Sequence, residues 1–305
     1  MKINECSKSA IKQFEHIKKI SLVDPNDELG HIELFIFPIK SKDFDYSTVS
    51  ECLLPSVPEF TLSAHTQALY AKSPMKLSQV AREKFKDALK NKGELGEFLL
   101  FCFLEGHLDA PQIIAKYELK TAQNMPVHGS DGIHIKQNEN SYYHLIFGES
   151  KTYATLKSAI TDAFNSINEF MLEINQTGDR KSGINFERGL LSQHIEHSVF
   201  EDDDKKILEA LIYPAAKSSE ISIDDAFGVF IGYEIQIKPE LKALSHKEFE
   251  MAIKKMIMDQ VKDIKGYILD KIKKYGLEGY PFYFYLLPFT NIDLNRTQIL
   301  QDVLK

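Results

Sequence analysis

The sequence predicts a mixed α/β (α+β) protein, on two observations. Runs rich in β-branched and aromatic residues alternate along the chain with stretches of helical periodicity. The composition is that of an ordinary folded chain: 305 residues, 43% hydrophobic and 27% charged. Such a composition excludes a disordered chain, a collagen-like chain and a long coiled coil. At roughly 100–200 residues per domain, the length suits one large domain or two modest ones.

The elements follow in order. Residues 31–38, HIELFIFP, read as a strand closed by Pro38. The stretch 41–63 is rich in Ser, Pro, Asp and Glu and reads as a loop. It sets off an N-terminal subregion, 1–75, from a core over 76–240 and a C-terminal segment over 241–305. Leu77, Val80, Phe85 and Leu89 share a face and predict an amphipathic helix over 77–91. The next segment, GELGEFLLFCFLE over 93–105, is apolar nearly all round and predicts a buried helix. Residues 131–137 and 143–151 read as strands joined by a turn near Asn140. Leu156, Ile160, Ala163, Phe164, Ile167 and Met171 predict a helix over 153–176. A short helix over 204–213 precedes a strand over 227–237. Ser245 and Glu248 form a capping-box pattern at the start of one long helix ending near Gly276. An aromatic strand over 280–287 follows, and the alternation of Phe282 and Phe284 with Tyr283 and Tyr285 predicts a core face and a polar-tipped face. A helix over 294–304 comes last.

Charge and cysteines narrow the function classes. The formal net charge is -7, so the overall field does not steer the chain to nucleic acid. Three cysteines without a CxxC suggest neither a disulfide framework nor a structural zinc site. The longest apolar run, Phe98 to Leu104, is far short of the roughly 20 residues of a membrane helix. The N-terminal stretch lacks the apolar core of a signal peptide. The expectation is a cytoplasmic protein with no membrane partner.

Chemistry concentrates between Asp131 and Lys151. In a strand, Glu149 and Lys151 share one face and Ser150 takes the other. A hairpin centred on Asn140 opposes Ile133 to Phe147 and Ile135 to Leu145, which gathers the apolar side chains on one face. The same register opposes Asp131 to Glu149. Directly opposed residues have Cβ atoms about 4.5–5.5 Å apart. Two carboxylates that close repel unless a cation or a proton lies between them. Mg²⁺ or Mn²⁺ suits such oxygen donors. Lys151 would orient a water or stabilise charge developing on a phosphate. Gly132 and Gly148 would face each other and admit a backbone or a ligand. The alternative is an ordinary solvated Glu-x-Lys pair, and a one-residue slip would separate the two carboxylates.

Asp131 followed by Glu149-Ser150-Lys151 at the end of an apolar strand resembles the D…(D/E)xK motif of the PD-(D/E)xK nuclease superfamily. More narrowly, GELGEFLLF, HGSDGIHI and FGESKTY resemble the nuclease subunit of Hachiman-type anti-phage defence systems, the HamA-like family. The resemblance implies a mixed central sheet flanked by helices. It also implies a metal-dependent DNA endonuclease acting in anti-phage defence, restrained or directed by a helicase partner. It would make Asp131 and Glu149 the metal ligands and Lys151 the catalytic lysine. Glu97 would be the helix acid of the metal site, with Glu94 as its rival. Ser130 stands where the superfamily usually has proline. A second reading is a non-catalytic subunit that keeps the fold for binding alone.

Other residues carry less. His134 falls on the face opposite Asp131 and reads as structural. His128, in a loop, could approach phosphate. His194-Ile195-Glu196-His197 lacks the i, i+4 spacing of a helical zinc pair and reads as a polar helix face. The acidic run 201–204 reads as a helix start. Lysines 254, 255, 262, 265, 271, 273 and 274 could bind a phosphate backbone, but they are interleaved with acids and read rather as a solvated helix face.

Overall fold

The structure is a computed structural model, describing residues 5–22, 30–86, 91–114, 129–139, 142–175, 177–197, 207 and 221–305. His128, Asn140, the acidic run 201–204 and the short helix over 204–213 lie outside these residues, Ile207 apart.

The helices are α1 (Glu5–Ile11), α2 (Tyr46–Leu53), α3 (Val57–Thr61), α4 (Ala64–Leu69), α5 (Pro74–Phe85) and α6 (Glu94–Gly106). They continue as α7 (Leu156–Leu172), α8 (Ile184–His197), α9 (Pro239–Lys242), α10 (His246–Gln260), α11 (Ile264–Lys274) and α12 (Ile292–Leu304). The strands are β1 (Glu15–Ser21), β2 (Gly30–Ile36), β3 (Ile39–Lys40), β4 (Asp43–Phe44) and β5 (Gln112–Ile114). β6 (Ile133–Gln137), β7 (Tyr142–Tyr153), β8 (Ser222–Glu234) and β9 (Phe282–Phe289) complete them.

Seven strands form one sheet in the order β1-β2-β9-β8-β7-β6-β5. The four central strands run parallel to one another. Antiparallel strands close both edges. This is the predicted mixed sheet. It draws β1 and β2 from residues 1–75, β5 to β8 from 76–240, and β9 from 241–305, so one sheet binds all three stretches.

Helices cover both faces. α6 packs on β7 and β8 from one side. Leu95 and every residue from Phe98 to Leu104 are 3% exposed or less, so α6 is the buried helix its composition predicts. Phe103 stacks between Phe230 and Tyr285. Gly148 and Gly228 seat this helix. A Cβ on Gly148 would stand 3.0 Å from Leu100 Cδ2, and one on Gly228 would stand 2.9 Å from Leu104 Cδ2. Gly148 also faces Gly132, as expected: a Cβ there would stand 3.2 Å from the Gly132 amide nitrogen, so the position admits both a backbone and a leucine side chain. Gly228→Ala should destabilise the fold by about 1–3 kcal/mol through overpacking, read as a lowered urea midpoint. α7 packs on β7 and β8 from the other side, with Phe164 against Phe282 and Phe284 and Phe170 against Phe147.

Three sequence expectations are corrected, and one strand was not expected. The stretch 41–63 is largely helical: it holds β4, α2, a 3-10 turn over Leu54–Ser56, and α3. Asp45 caps α2 by accepting the Thr48 amide. Pro55 and Pro58 sit in first turns, where proline's missing N–H costs nothing. Tyr46, Val49, Leu53, Val57 and Phe60 bury one continuous side. The N-terminal charged stretch contains a strand, β1, at the sheet edge, where lysines are tolerated. β9 is buried on both faces, Tyr283 and Tyr285 included, because parallel neighbours flank it and helices cover it. The long helix from Ser245 is two helices, although its capping box is present. Phe249, Ile253, Ile257 and Val261 recur every four residues, so their stripe drifts by about 40° per step. A tight turn, with the Ile264 amide bonded to Val261 O, resets the face for Ile264, Ile268 and Ile272.

Candidate active site

The hairpin of β6 and β7 builds the site. Its register pairs Ile133 with Phe147 and Ile135 with Leu145, as the apolar pattern predicts. The expected opposition of Asp131 to Glu149 is not kept: Gly148 O accepts the Asp131 amide at 2.7 Å while the Gly148 amide donates to Gly132 O at 2.9 Å, so Asp131, just before β6, and Gly132 both face Gly148. Its carboxylate reaches across the hairpin. Oδ2 accepts the Ser150 amide at 2.6 Å and the Ser150 hydroxyl at 2.7 Å. The serine inside the Glu-x-Lys triplet therefore holds the aspartate, a role that spacing alone did not assign.

Glu149 and Lys151 project from the opposite face of β7, toward α7. Lys151 Nζ lies 2.6 Å from Glu149 Oε1 and 3.8 Å from Asp162 Oδ2 of α7. Ser166, one turn further along α7, bonds the Glu149 carboxylate. Glu149 is only 8% exposed. Burial, then the negative charge of Asp131, pushes its carboxyl up to about 7 against the pull of Lys151 and Ser166. For Lys151, burial favours the neutral amine, but Glu149, Asp131 and Asp162 outweigh it and hold the ammonium well above the usual lysine range. The result is a buried carboxylate short of positive charge beside a permanently charged lysine.

The helix acids stand apart from this pair. α6 lies on the Ser150 face, since a Cβ on Gly96 would stand 3.2 Å from both Ser150 Oγ and Thr152 Oγ1. Glu97, the next residue of α6, is half-buried. Glu94 is 6% exposed; its Oε1 accepts the Asn91 side-chain amide at 3.3 Å, and its Oε2 has no hydrogen bond among the described residues. Among the described residues no three His, Cys, Asp or Glu side chains are gathered to hold a metal ion. The donor chemistry of Asp131 and Glu149 nevertheless suits Mg²⁺ or Mn²⁺. Both offer hard oxygen, and a cation would relieve the repulsion that raises Glu149. Mg²⁺ is commonly held by one or two carboxylates, with water and phosphate oxygens completing the shell.

His134 is structural: it is 1% exposed, and its Nδ1 donates to Ala110 O at 2.8 Å. Burial lowers its pKa to about 4. The stretch from His194 to His197 forms the end of α8.

Three residues at the site escaped the sequence reading. Asp162 and Ser166 fall four apart on α7, a polar stripe beside the apolar one, and that spacing was the available signal. Glu187 of α8 is fully buried and accepts the Ser130 amide at 3.2 Å, next to Asp131. No local pattern marks it, because its partner is 57 residues away.

The site thus joins an aspartate, a buried glutamate and a lysine at the end of a hairpin, with a buried helix beside them. The family model of HamA matches residues 10–303. The chain belongs to the HamA family. HamA is a subunit of the Hachiman anti-phage defence system, so this chain is a component of such a system. The match runs through the sheet and both covering helices, which places the hairpin site inside the HamA region. No curated protein matches the chain. Among the described residues of this HamA-family chain, no helix is long and apolar enough to cross a membrane.

Proposed function

We propose that this chain is the metal-dependent DNA endonuclease of a Hachiman-type system, under the control of a helicase partner. The observation that supports this best is the Glu149–Lys151 pair, buried, coupled to Asp131 and placed at the end of a strand. A carboxyl raised by burial and by a second carboxylate, beside a charged partner, is the pattern of a candidate functional site.

Asp131 and Glu149 would hold the cation, and it is the family resemblance, not the geometry, that adds Glu97 of α6 as the helix acid. When bound, a divalent cation polarises the phosphodiester and acidifies a coordinated water. The chain's own residues supply the rest. Ser150 fixes the Asp131 carboxylate through two hydrogen bonds. Asp162 and Glu149 keep Lys151 charged, so its ammonium stabilises negative charge growing on the phosphate. Burial of Glu149 excludes water that would weaken these charges. A net charge of -7 also suits a nuclease brought to DNA by a partner rather than by its own field.

The test is incubation with supercoiled and linear DNA in Mg²⁺, Mn²⁺ or EDTA, with and without the helicase encoded nearby. Cleavage that EDTA abolishes is the expected result. No cleavage under any condition would sink the catalytic reading and favour the binding subunit. Mn²⁺ should also raise the melting temperature: at a concentration of about 100 times Kd, mass action adds about 2.7 kcal/mol. Glu149→Ala should lose that gain.

A further inference from the structure

A cleft of about 380 Å³ opens beside Lys151 between α7 and α11. Tyr153, Lys157, Asp162, Asn165 and Tyr267 line it. It adjoins the catalytic pair through Asp162, whose Oδ2 lies 3.8 Å from Lys151 Nζ and accepts the Tyr153 hydroxyl at 2.9 Å. That acid is therefore engaged from both sides. The other charged residue of the lining is Lys157, and two further lysines stand over the neighbouring rings. Lys157 Nζ and Lys271 Nζ each lie 5.2 Å from the centre of the Tyr267 ring. Lys274 Nζ lies 4.9 Å from the centre of the Tyr275 ring.

Both rings are pinned by their hydroxyls, Tyr267 with Thr161 Oγ1 at 2.6 Å and Tyr275 to Asn165 Oδ1 at 2.6 Å. Pinned aromatic rings interleaved with lysines form the surface that binds nucleic-acid strands without sequence preference: ring faces stack on bases and cations follow the backbone. Lys271 and Lys274, read from sequence as part of a solvated face, are here gathered around the entrance to the site.

We propose that the cleft between α7 and α11 seats a single nucleic-acid strand leading to Lys151, with Tyr267 stacking on a base and Lys157 and Lys271 on flanking phosphates. The incoming base displaces the exposed Lys157 ammonium from the ring and frees it for phosphate. The assignment rests on the nuclease reading, because it makes Lys151 the destination of the strand.

The test measures binding in EDTA by the anisotropy of fluorescein-labelled oligothymidine and oligouridine of about 16 nucleotides, the upper end of a single-strand site. Glu149→Ala serves as the parent. Adding Tyr267→Ala should weaken binding about tenfold. Tyr267→Phe, which keeps the ring, should not. Lys157→Gln with Lys271→Gln should reduce the slope of log K against log salt by about 1.4, two phosphate contacts at about 0.7 each. The tighter of the two oligonucleotides identifies the sugar. Three results would overturn the proposal: a parent that retains neither oligonucleotide at low salt, affinity unchanged by Tyr267→Ala, or an equal loss in Tyr267→Phe. Strand binding that follows this pattern in a protein that cuts nothing would keep the cleft and refute the nuclease. Cleavage without any effect at Tyr267 would do the reverse.

Discussion

Lys151→Ala and Glu149→Ala should each lower the rate of DNA cleavage by at least about a hundredfold, the usual cost of removing one preorganised charge from a site. The two losses have different causes. Without Lys151, the buried Glu149 loses the cation that lies 2.6 Å away, and charge growing on the phosphate goes unanswered. Without Glu149, Asp131 is the remaining hairpin carboxylate, and cation affinity falls. Excess Mn²⁺ should therefore partly restore Glu149→Gln and leave Lys151→Ala inactive. Lys151→Arg should stay impaired, since a planar guanidinium cannot stand in for a compact ammonium in a space shared with Asp162. Nicking of supercoiled plasmid measures all four variants, with melting curves to verify folding. Cleavage at the wild-type rate in both alanine variants would remove Glu149 and Lys151 from the mechanism.

Acidification from pH 6.5 towards 4 should unfold the protein, through histidines buried in neutral form. Burial lowers His107, His134 and His144 to about 4 and His31 to about 3. The direction follows from linkage. Below the ordinary value of 6.5 the unfolded chain takes up protons that the folded chain refuses, so stability is full above that pH and is lost on descent. His134 and His144, both 1% exposed, stand to lose about 3 kcal/mol each. Glu149 acts the other way: its raised carboxyl regains stability as pH falls from about 7. It offsets about one histidine, so the net change is a loss. In His134→Asn, where an amide nitrogen replaces the donating Nδ1, urea midpoints should fall less steeply between pH 6.5 and 4. Curves parallel to wild type would show that His134 contributes nothing to acid sensitivity.

The sequence alone reached furthest where contacts are local. The hairpin register was legible because alternation has a period of two, and any slip would have turned the Ile133, Ile135, Leu145 and Phe147 face to solvent. Burial of α6 was legible because its apolar residues encircle the helix. The α10 start was legible because a capping box spans four residues. Asp131, Glu149 and Lys151 were found together because one hairpin carries all three.

What eluded the reading depends on partners distant in the chain. A proline-rich stretch became helical because Tyr46, Val49, Leu53, Val57 and Phe60 could bury a common side. Both faces of β9 were buried because β2 and β8 flank it and helices cover it.

The sequence by itself determined the class of fold, the register of the hairpin and the residues of the site that lie on it. Only the tertiary structure decided which helix covers each side of β7. That choice sets Gly96 of α6 against Ser150 and turns Glu149 and Lys151 toward Asp162 and Ser166. It also brings Tyr267 of α11 to the mouth of the site. Strand alternation states that Ser150 and Lys151 point in opposite directions, but which direction meets which helix is settled by packing across the whole sheet.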